Sequence, residues 1–309
     1  MVRRLWVQRQ GLGLVMEDLY CYLGITRQGY TQRLKSWQAE VTLMKSVESQ
    51  VLDYRKHKER RAGSRSLYYN LDIKGQFGLG VTKFEQLMSQ YGLTLLPLRV
   101  RVVTTKSVCQ SWNYDNLLNG LTINGINQVV VGDLTYVYIG RLLFYLFCLT
   151  DVYSARLVGL WGSDRMRAED AKQALDHWIR HRGKGQLKHC IHHTDGGSQY
   201  FSERYLRQLN AQDIQISVAQ NCLQNGFAEQ RNGLIKHHLI PCRQMQELQA
   251  FQQQLLEMDY FYNYQRKQQG LGWRTPVEYE QYIADLEPDK RPVKTLHDFR
   301  QTAKSNMGF

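Results

Sequence analysis

The sequence predicts an α/β fold: a mixed five-stranded sheet with flanking helices, preceded by small all-α helix-turn-helix modules. Three observations predict it. Residues 129–161 hold three runs rich in β-branched and aromatic residues, joined by short connections, as in an antiparallel meander. Residues 168–265 then alternate helical and strand periodicities. Residues 15–92 carry only helical spacing, broken by glycine turns.

Composition bounds the class. The chain has 309 residues, 43% of them hydrophobic, enough for a sizeable core. Its net charge of +12 and pI near 9.4 point to a polyanionic partner, nucleic acid or a membrane surface. A membrane role lacks support: the longest apolar run, residues 142–149, is far shorter than a spanning helix. Arg3, Arg4 and Arg9 interrupt the first apolar residues, so no secretory signal is expected. Cys21, Cys109, Cys148, Cys190, Cys222 and Cys242 are scattered without a C-x-x-C pair. That spacing argues against structural zinc and against a disulfide framework, and fits a reduced, intracellular protein.

Taken in order, residues 15–23 have helical spacing, Gly24 and Ile25 make a turn, and Thr26 caps a second helix through Leu34. Helix, glycine turn and capped helix is the helix-turn-helix pattern, with Arg27 and Gln28 as candidate DNA contacts. Residues 38–60 read as a helical connector ending in a charge run. A second helical pair follows, residues 63–71 and 82–90, the latter capped by Thr82; Arg65 and Lys83 keep it positive. Residues 99–106, with Lys106, read as an extended phosphate-tracking linker. Residues 107–126 look irregular. Strands are expected at 129–139, 141–149, 155–161, 188–193 and 214–218. Helices are expected at 168–182, 202–209, around Glu229, and from 247 to about 265. The tail after Pro288 is polar and basic and is expected to be poorly ordered. The expected divisions are 1–60, 61–98, 99–126, 127–285 and 286–309. Three hairpin-linked strands followed by alternating helices and strands is the RNase H-like order.

Three carboxylates stand out on this plan. Asp133 interrupts an apolar strand, an expensive place for a charge and therefore a candidate functional position. Asp195 follows the fourth strand in His193-Thr-Asp-Gly-Gly-Ser-Gln-Tyr200, where glycines permit close approach. In an RNase H-like sheet the first and fourth strands are neighbours, so the two aspartates face each other. Glu229 sits on a helix that can pack across the same edge. Phe227 and Leu234 share one face of that helix, and Glu229 and Lys236 lie on roughly the opposite one. Clustered carboxylates need cations, and all-oxygen ligation selects Mg²⁺ or Mn²⁺. Two such ions about 4 Å apart would serve phosphodiester chemistry. Asp151 reads as structural. His189, Cys190, His192 and His193 cannot converge on one metal, because alternate strand residues face opposite sides. The aromatic stretch at 260–264 reads as core.

The chain resembles the integrase-like (retroviral-integrase-like) transposases of the bacterial IS-three insertion-sequence family, specifically their second reading-frame product. The matching pieces are Asn127-Gln-Val-Val-Val-Gly-Asp-Leu-Thr-Tyr136, Asp151-Val-Tyr-Ser-Ala-Arg-Leu-Val-Gly159, the Asp195 motif, Asn225-Gly-Phe-Ala-Glu229 and Leu271-Gly-Trp-Arg-Thr-Pro-Val-Glu278. Residues 63–96 also resemble that family's second helix-turn-helix. The resemblance implies a DDE active site of Asp133, Asp195 and Glu229 holding two metal ions, with Lys236 on transposon-end DNA. Asn225 and Arg231 are further candidate DNA contacts. It implies double-stranded terminal repeats and target DNA as substrates, a homo-oligomer that synapses two ends, an upstream-frame partner protein, and a bacterial cytoplasmic, nucleoid-associated location. The chain departs from the family at Val130, usually Trp, and at Gln224, usually Asp. Rival readings are a catalytically silent DNA-binding repressor and an RNase H-like nuclease without strand transfer.

Overall fold

The computed structural model describes residues 15–96, 114–183, 185–220, 222–239 and 247–299. Lys106 and the linker expected at 99–106 lie outside them. Helix α1 (Met16–Leu23) stops at Gly24, which turns the chain at a left-handed φ of 60°. Thr26 then accepts a hydrogen bond from the Gly29 N–H at 3.0 Å and caps α2. Helix α2 (Arg27–His57) is one continuous helix of 31 residues, so the connector expected at 38–60 is its second half. No glycine or proline interrupts residues 30–57, and the buried Met44, Val47, Val51 and Tyr54 keep one face docked. Helices α3 (Ser64–Asn70), α4 (Ile73–Phe77) and α5 (Val81–Gln90) follow. The expected Thr82 cap is not used: α5 starts at Val81 with Gly80 as its cap residue, which places Thr82 inside the first turn. Asp72 instead caps α4, accepting from the Gly75 N–H.

The folded core begins earlier than expected, with a separate two-stranded sheet. Residues 114–126 are part of the core: the short strand β1 (Thr122–Ile123) pairs with β7 (Lys294–Thr295), and Leu118, Leu121 and Ile126 pack with buried Ile123. The segment after Pro288 is therefore ordered through residue 299, with β7 paired and the Leu296 N–H bonded to the Leu121 carbonyl. Strands β2 (Val129–Ile139), β3 (Leu142–Asp151), β4 (Leu157–Ser163), β5 (Ile191–Thr194) and β6 (Gln215–Val218) form the main sheet in the order β4-β3-β2-β5-β6. The β2–β3–β4 meander is antiparallel, and β5 and β6 add in parallel to β2. This is the RNase H-like order that the sequence predicts.

Alternation along β2 sends its side chains to both sides. Val130 packs under α6 (Ala168–Arg182) and α7 (Glu203–Ala211), among Leu175, Trp178, Tyr205 and Leu209. Val129 and Val131 pack on the other face with Ala228 of α8 (Gly226–Leu234) and Tyr279 of α10 (Pro276–Ala284). Helix α9 (Leu248–Tyr260) covers the far end of the meander. Both α8 and α9 run on into π-helical turns, Ile235–Leu239 and Phe261–Gln265.

The N-terminal helices are not strung from this core but packed onto it. Met44, Val51, Leu67, Phe84 and Leu87 join Ile235, Leu239, Phe261 and Tyr262 in one apolar cluster. Polar contacts fix the joint. Buried Glu59 accepts two hydrogen bonds from Arg266, Asn70 makes two with the Lys267 backbone, and Tyr69 stacks on Trp273 at 3.9 Å. The Leu271–Glu278 motif thus has a local explanation. Trp273 adopts a left-handed φ of 60° that presents its ring to Tyr69, while Thr275 and Glu278 form a reciprocal capping box for α10.

Candidate active site

The parallel register of β2 and β5 ends with Gly132 opposite Thr194, so Asp133 and Asp195 are the next residues on adjacent strands. Gly132 is required by this packing. A Cβ there would lie 2.9 Å from both the His192 ring and the Leu149 side chain. Asp133 is half-buried, and its carboxylate accepts from the Leu134 N–H at 2.9 Å and from the Asn232 amide at 2.7 Å. Its pKa is pushed from 3.8 up to about 7, first by burial, then by repulsion from Asp195, with a smaller contribution from Glu229. Asp133 therefore feels both of the other expected acids. Asp195 is exposed, with one oxygen accepting from the Gly197 N–H at 3.1 Å. Glu229 is exposed in the first turn of α8, where the helix dipole favours a carboxylate.

A relay of hydrogen bonds sets where α8 begins. The Leu117 N–H donates to Ser217 Oγ, which pairs at 2.8 Å with His193 Nδ1; His193 Nε2 reaches the Gln224 carbonyl. Burial lowers the His193 pKa to about 4, so the ring is neutral at pH 7. Its two partners then assign Nε2–H as the donor to Gln224 and Nδ1 as the acceptor from Ser217. Gln224 Oε1 accepts from Asn116 Nδ2 and from the Gln220 N–H. Both are acceptor roles that an aspartate also fills, so the departure from the family at 224 conserves the local bonding. Val130, the other departure, is fully buried in the core beside the site.

The remaining expected residues divide by position. His192 is buried with Tyr205 and the Val130 carbonyl, and His189 is exposed beside Asp213. The four His/Cys side chains thus do not converge. Asp151 is fully buried, bonded by the backbone N–H groups of Asn127, Tyr153 and Ser154, with Arg182 at 3.5 Å. In the aromatic stretch, Phe261 and Tyr262 are core, but Tyr260 and Tyr264 are exposed and stacked on each other. Arg27 and Gln28 are exposed at the start of α2. Arg65 pairs with Glu85 and Lys83 with Glu40, both at the surface. Asn225 is only 2% exposed and donates to the Gly132 carbonyl, which puts it beneath the acids rather than on a surface open to DNA. Arg231 lies on the far side of α8 from Asp133, bonded to Tyr262 and Gln268. Lys236 falls in the π-helical turn that follows α8.

Sequence reasoning missed Asn232. It is one α-helical turn beyond Glu229, 4% exposed, and bonded to Asp133. A buried amide among helix neighbours of a candidate acid was the available signal. The oxygen-only donor set and the repulsion that Asp195 and Glu229 exert on Asp133 fit a hard divalent cation. As they stand, no three His, Cys, Asp or Glu side chains among the described residues form a preassembled metal-binding group. Asp133 and Asp195 are instead turned toward protein donors.

Residues 124–221 and 212–276 each match a family described as the integrase core domain. The transposase for insertion sequence element IS904 of Lactococcus lactis is 32% identical over 173 residues, covering 54% of this chain and 67% of that protein. A protein of insertion sequence element IS986/IS6110 of Mycobacterium tuberculosis is 34% identical over 163 residues, covering 50% of this chain and 58% of that protein. Transposase InsF for insertion sequence IS3A of Escherichia coli is 28% identical over 166 residues, covering 51% and 55%. The chain thus spans little more than half the length of most of these relatives. Among solved structures, the HTLV-2 integrase catalytic core domain in complex with magnesium aligns over 53% of this chain at 16% identity and a TM-score of 0.39. Shared motifs, fold order and these relatives together place the chain in the family of DDE transposases of bacterial IS-three insertion sequences.

Proposed function

We propose that the protein is a DNA transposase that cleaves at the ends of its element and joins them to target DNA, with Asp133, Asp195 and Glu229 as its catalytic acids. The observation that carries this is the meeting of the two aspartates on adjacent parallel strands with the Glu229 helix beside them. Two divalent ions, Mg²⁺ or Mn²⁺, held by these acids would polarise the scissile phosphodiester and neutralise its developing charge. Asn232 orients the Asp133 carboxylate, and the His193 relay fixes the start of the helix that carries Glu229. Two in-line displacements at phosphorus follow. In the first, water attacks, the P–O3′ bond breaks and a 3′-hydroxyl is released. In the second, that hydroxyl attacks a target phosphodiester and expels its 3′-oxygen. Neither step needs a covalent enzyme intermediate.

The substrates on this reading are terminal inverted repeats and target duplex, brought together by a homo-oligomer and by an upstream-frame partner. The net charge of +12 supports a polyanionic substrate. Arg27, Gln28, Arg65 and Lys83 are proposed contacts on the helical modules, and Lys236 and Arg231 beside the catalytic helix. No helix among the described residues is long and apolar enough to cross a membrane. The test is incubation of labelled terminal-repeat duplex with Mg²⁺. Glu229→Gln should retain binding and lose cleavage and joining by more than the 10–100-fold typical of residues that only support a metal ligand. Joining that survives Glu229→Gln sinks the assignment.

A further inference from the structure

A cavity of about 900 Å³ lies on the side of α8 away from Asp133. Phe227, Arg231 and Leu234 line it from one side of α8, and His238 from the π-turn that follows. Ser64 and Arg65 of the helical module face them, and Gln268 and Lys294 complete the wall. Two features of this cavity are costly as they stand.

The first is charge. Arg231 and Lys294 have no carboxylate partner among the described residues. Among the described residues Arg231 donates to the Tyr262 hydroxyl and the Gln268 amide oxygen and lies over the Phe227 ring, and its Nε is buried without a partner. Lys294 donates to the Tyr153 carbonyl and lies over the Tyr153 and Tyr279 rings. Burial and the nearby Arg231 both lower the Lys294 pKa, against the pull of Asp151. Two like charges sharing a desolvated wall are unfavourable until an anion arrives. The second feature is a donor. Gln268 is only 6% exposed, its oxygen is taken by Arg231, and its Nε2 has no acceptor among the described residues. An unmatched buried donor costs free energy that an incoming acceptor returns.

We propose that this cavity is a phosphate-binding site in which Arg231, Lys294 and the Gln268 amide hold phosphate oxygens, supplied by the DNA backbone as it passes behind the catalytic helix. Glu85 also lines the wall, but its carboxylate is paired with Arg65, so the class of ligand follows from Arg231, Lys294 and the Gln268 amide, which select an anionic oxygen acceptor. DNA as its source rests on the function proposed above. The site joins the helical module to the catalytic core, because its walls come from α3, α8 and the 266–273 segment. Occupancy therefore ties DNA binding to the docking of the two parts.

The experiment uses the full chain, with inorganic pyrophosphate and terminal-repeat duplex as separate probes. Gln268→Glu keeps the shape and the acceptor for Arg231 while replacing the free donor with negative charge. Lys294→Gln removes one cation. Pyrophosphate should raise the melting temperature of the wild type and fail to raise that of either variant. DNA affinity should fall about tenfold in each, and Lys294→Gln should reduce the salt slope of binding by about one. Loss of the pyrophosphate response with unchanged DNA affinity also supports the phosphate site and assigns it to a free phosphate compound instead of DNA. Wild-type DNA affinity in both variants, together with no pyrophosphate response in the wild type, overturns the proposal. Strand cleavage by the wild type is read separately, so failure of the transposase reading is distinguishable.

Discussion

Asp133 concentrates the electrostatic tension of the molecule in one side chain. In the unfolded chain it ionises near its ordinary 3.8, and in the folded, metal-free protein near 7. Between those values the unfolded state has released a proton that the folded state retains. Stability from this group is thus fully present below pH 4, falls as the pH rises toward 7, and is lost above it. The loss is on the order of 2 kcal/mol, after allowing for the water that reaches a half-buried carboxylate. Urea denaturation of the wild type and of Asp133→Asn at pH 5 and pH 8 checks it. The variant should gain relative to the wild type at pH 8, and the gap should close toward pH 4. A gap independent of pH would mean that neither burial nor the neighbouring acids raise the Asp133 pKa in the folded protein. Asn232 acts on the same carboxylate, and its hydrogen bond lowers the Asp133 pKa against burial. Asn232→Ala should therefore push that pKa further up and weaken divalent-ion affinity about 10–100-fold, as losing a residue that orients a metal ligand does. Calorimetric titration with Mn²⁺ measures the change, and unaltered affinity would leave Asn232 a packing residue.

Elements whose sequence period matches their exposure were legible almost to the residue. Strand β2 and helix α6 match the expected 129–139 and 168–182, because β-branched alternation and an apolar stripe leave little choice there. Asp133 was singled out for the opposite reason, since it breaks its strand pattern, and Asp195 because glycines follow it at the end of a strand. What sequence could not supply was set at longer range. The pairing of β1 with β7 joins residues far apart in the chain, neither of which forms a ladder alone. The π-turn after α8 packs Ile235 and Leu239 into the cluster that holds the N-terminal helices. Asp151 shows a further limit. Its structural role was read correctly, but the ionic cluster around it was not seen. Glu280 of α10 bridges Arg182 of α6 and Arg156 after β3, all largely buried. Glu280→Ala leaves two buried guanidinium groups without their main partner. It should cost about 3–5 kcal/mol, far more than a surface pair. Denaturant titration reads this directly, and a loss below ~1 kcal/mol would show that water enters to replace the carboxylate.

At the scale of the whole molecule, the helical and sheet-bearing parts are joined by a shared apolar core and not by a tether. Met44, Val51, Leu67 and Phe84 lie in the same cluster as Ile235, Phe261 and Tyr262. The ion pair between Glu59 and Arg266 sits inside that joint, with Glu59 2% exposed and His238 also near. A joint of this kind couples the unfolding of the two parts, because either one unfolding alone would expose the apolar face of the other. Glu59→Ala strands Arg266 in the joint and should destabilise the protein by about 3–5 kcal/mol. The manner of that loss discriminates between architectures. With a shared core, differential scanning calorimetry should show one transition in both proteins, shifted down in the variant, and amide exchange should accelerate in α3 and in the sheet-facing α8 together. Two separated transitions, with only the helical one moved, would mean that residues 15–96 fold as an independent module. The site behind α8 would then be open until DNA draws its two walls together.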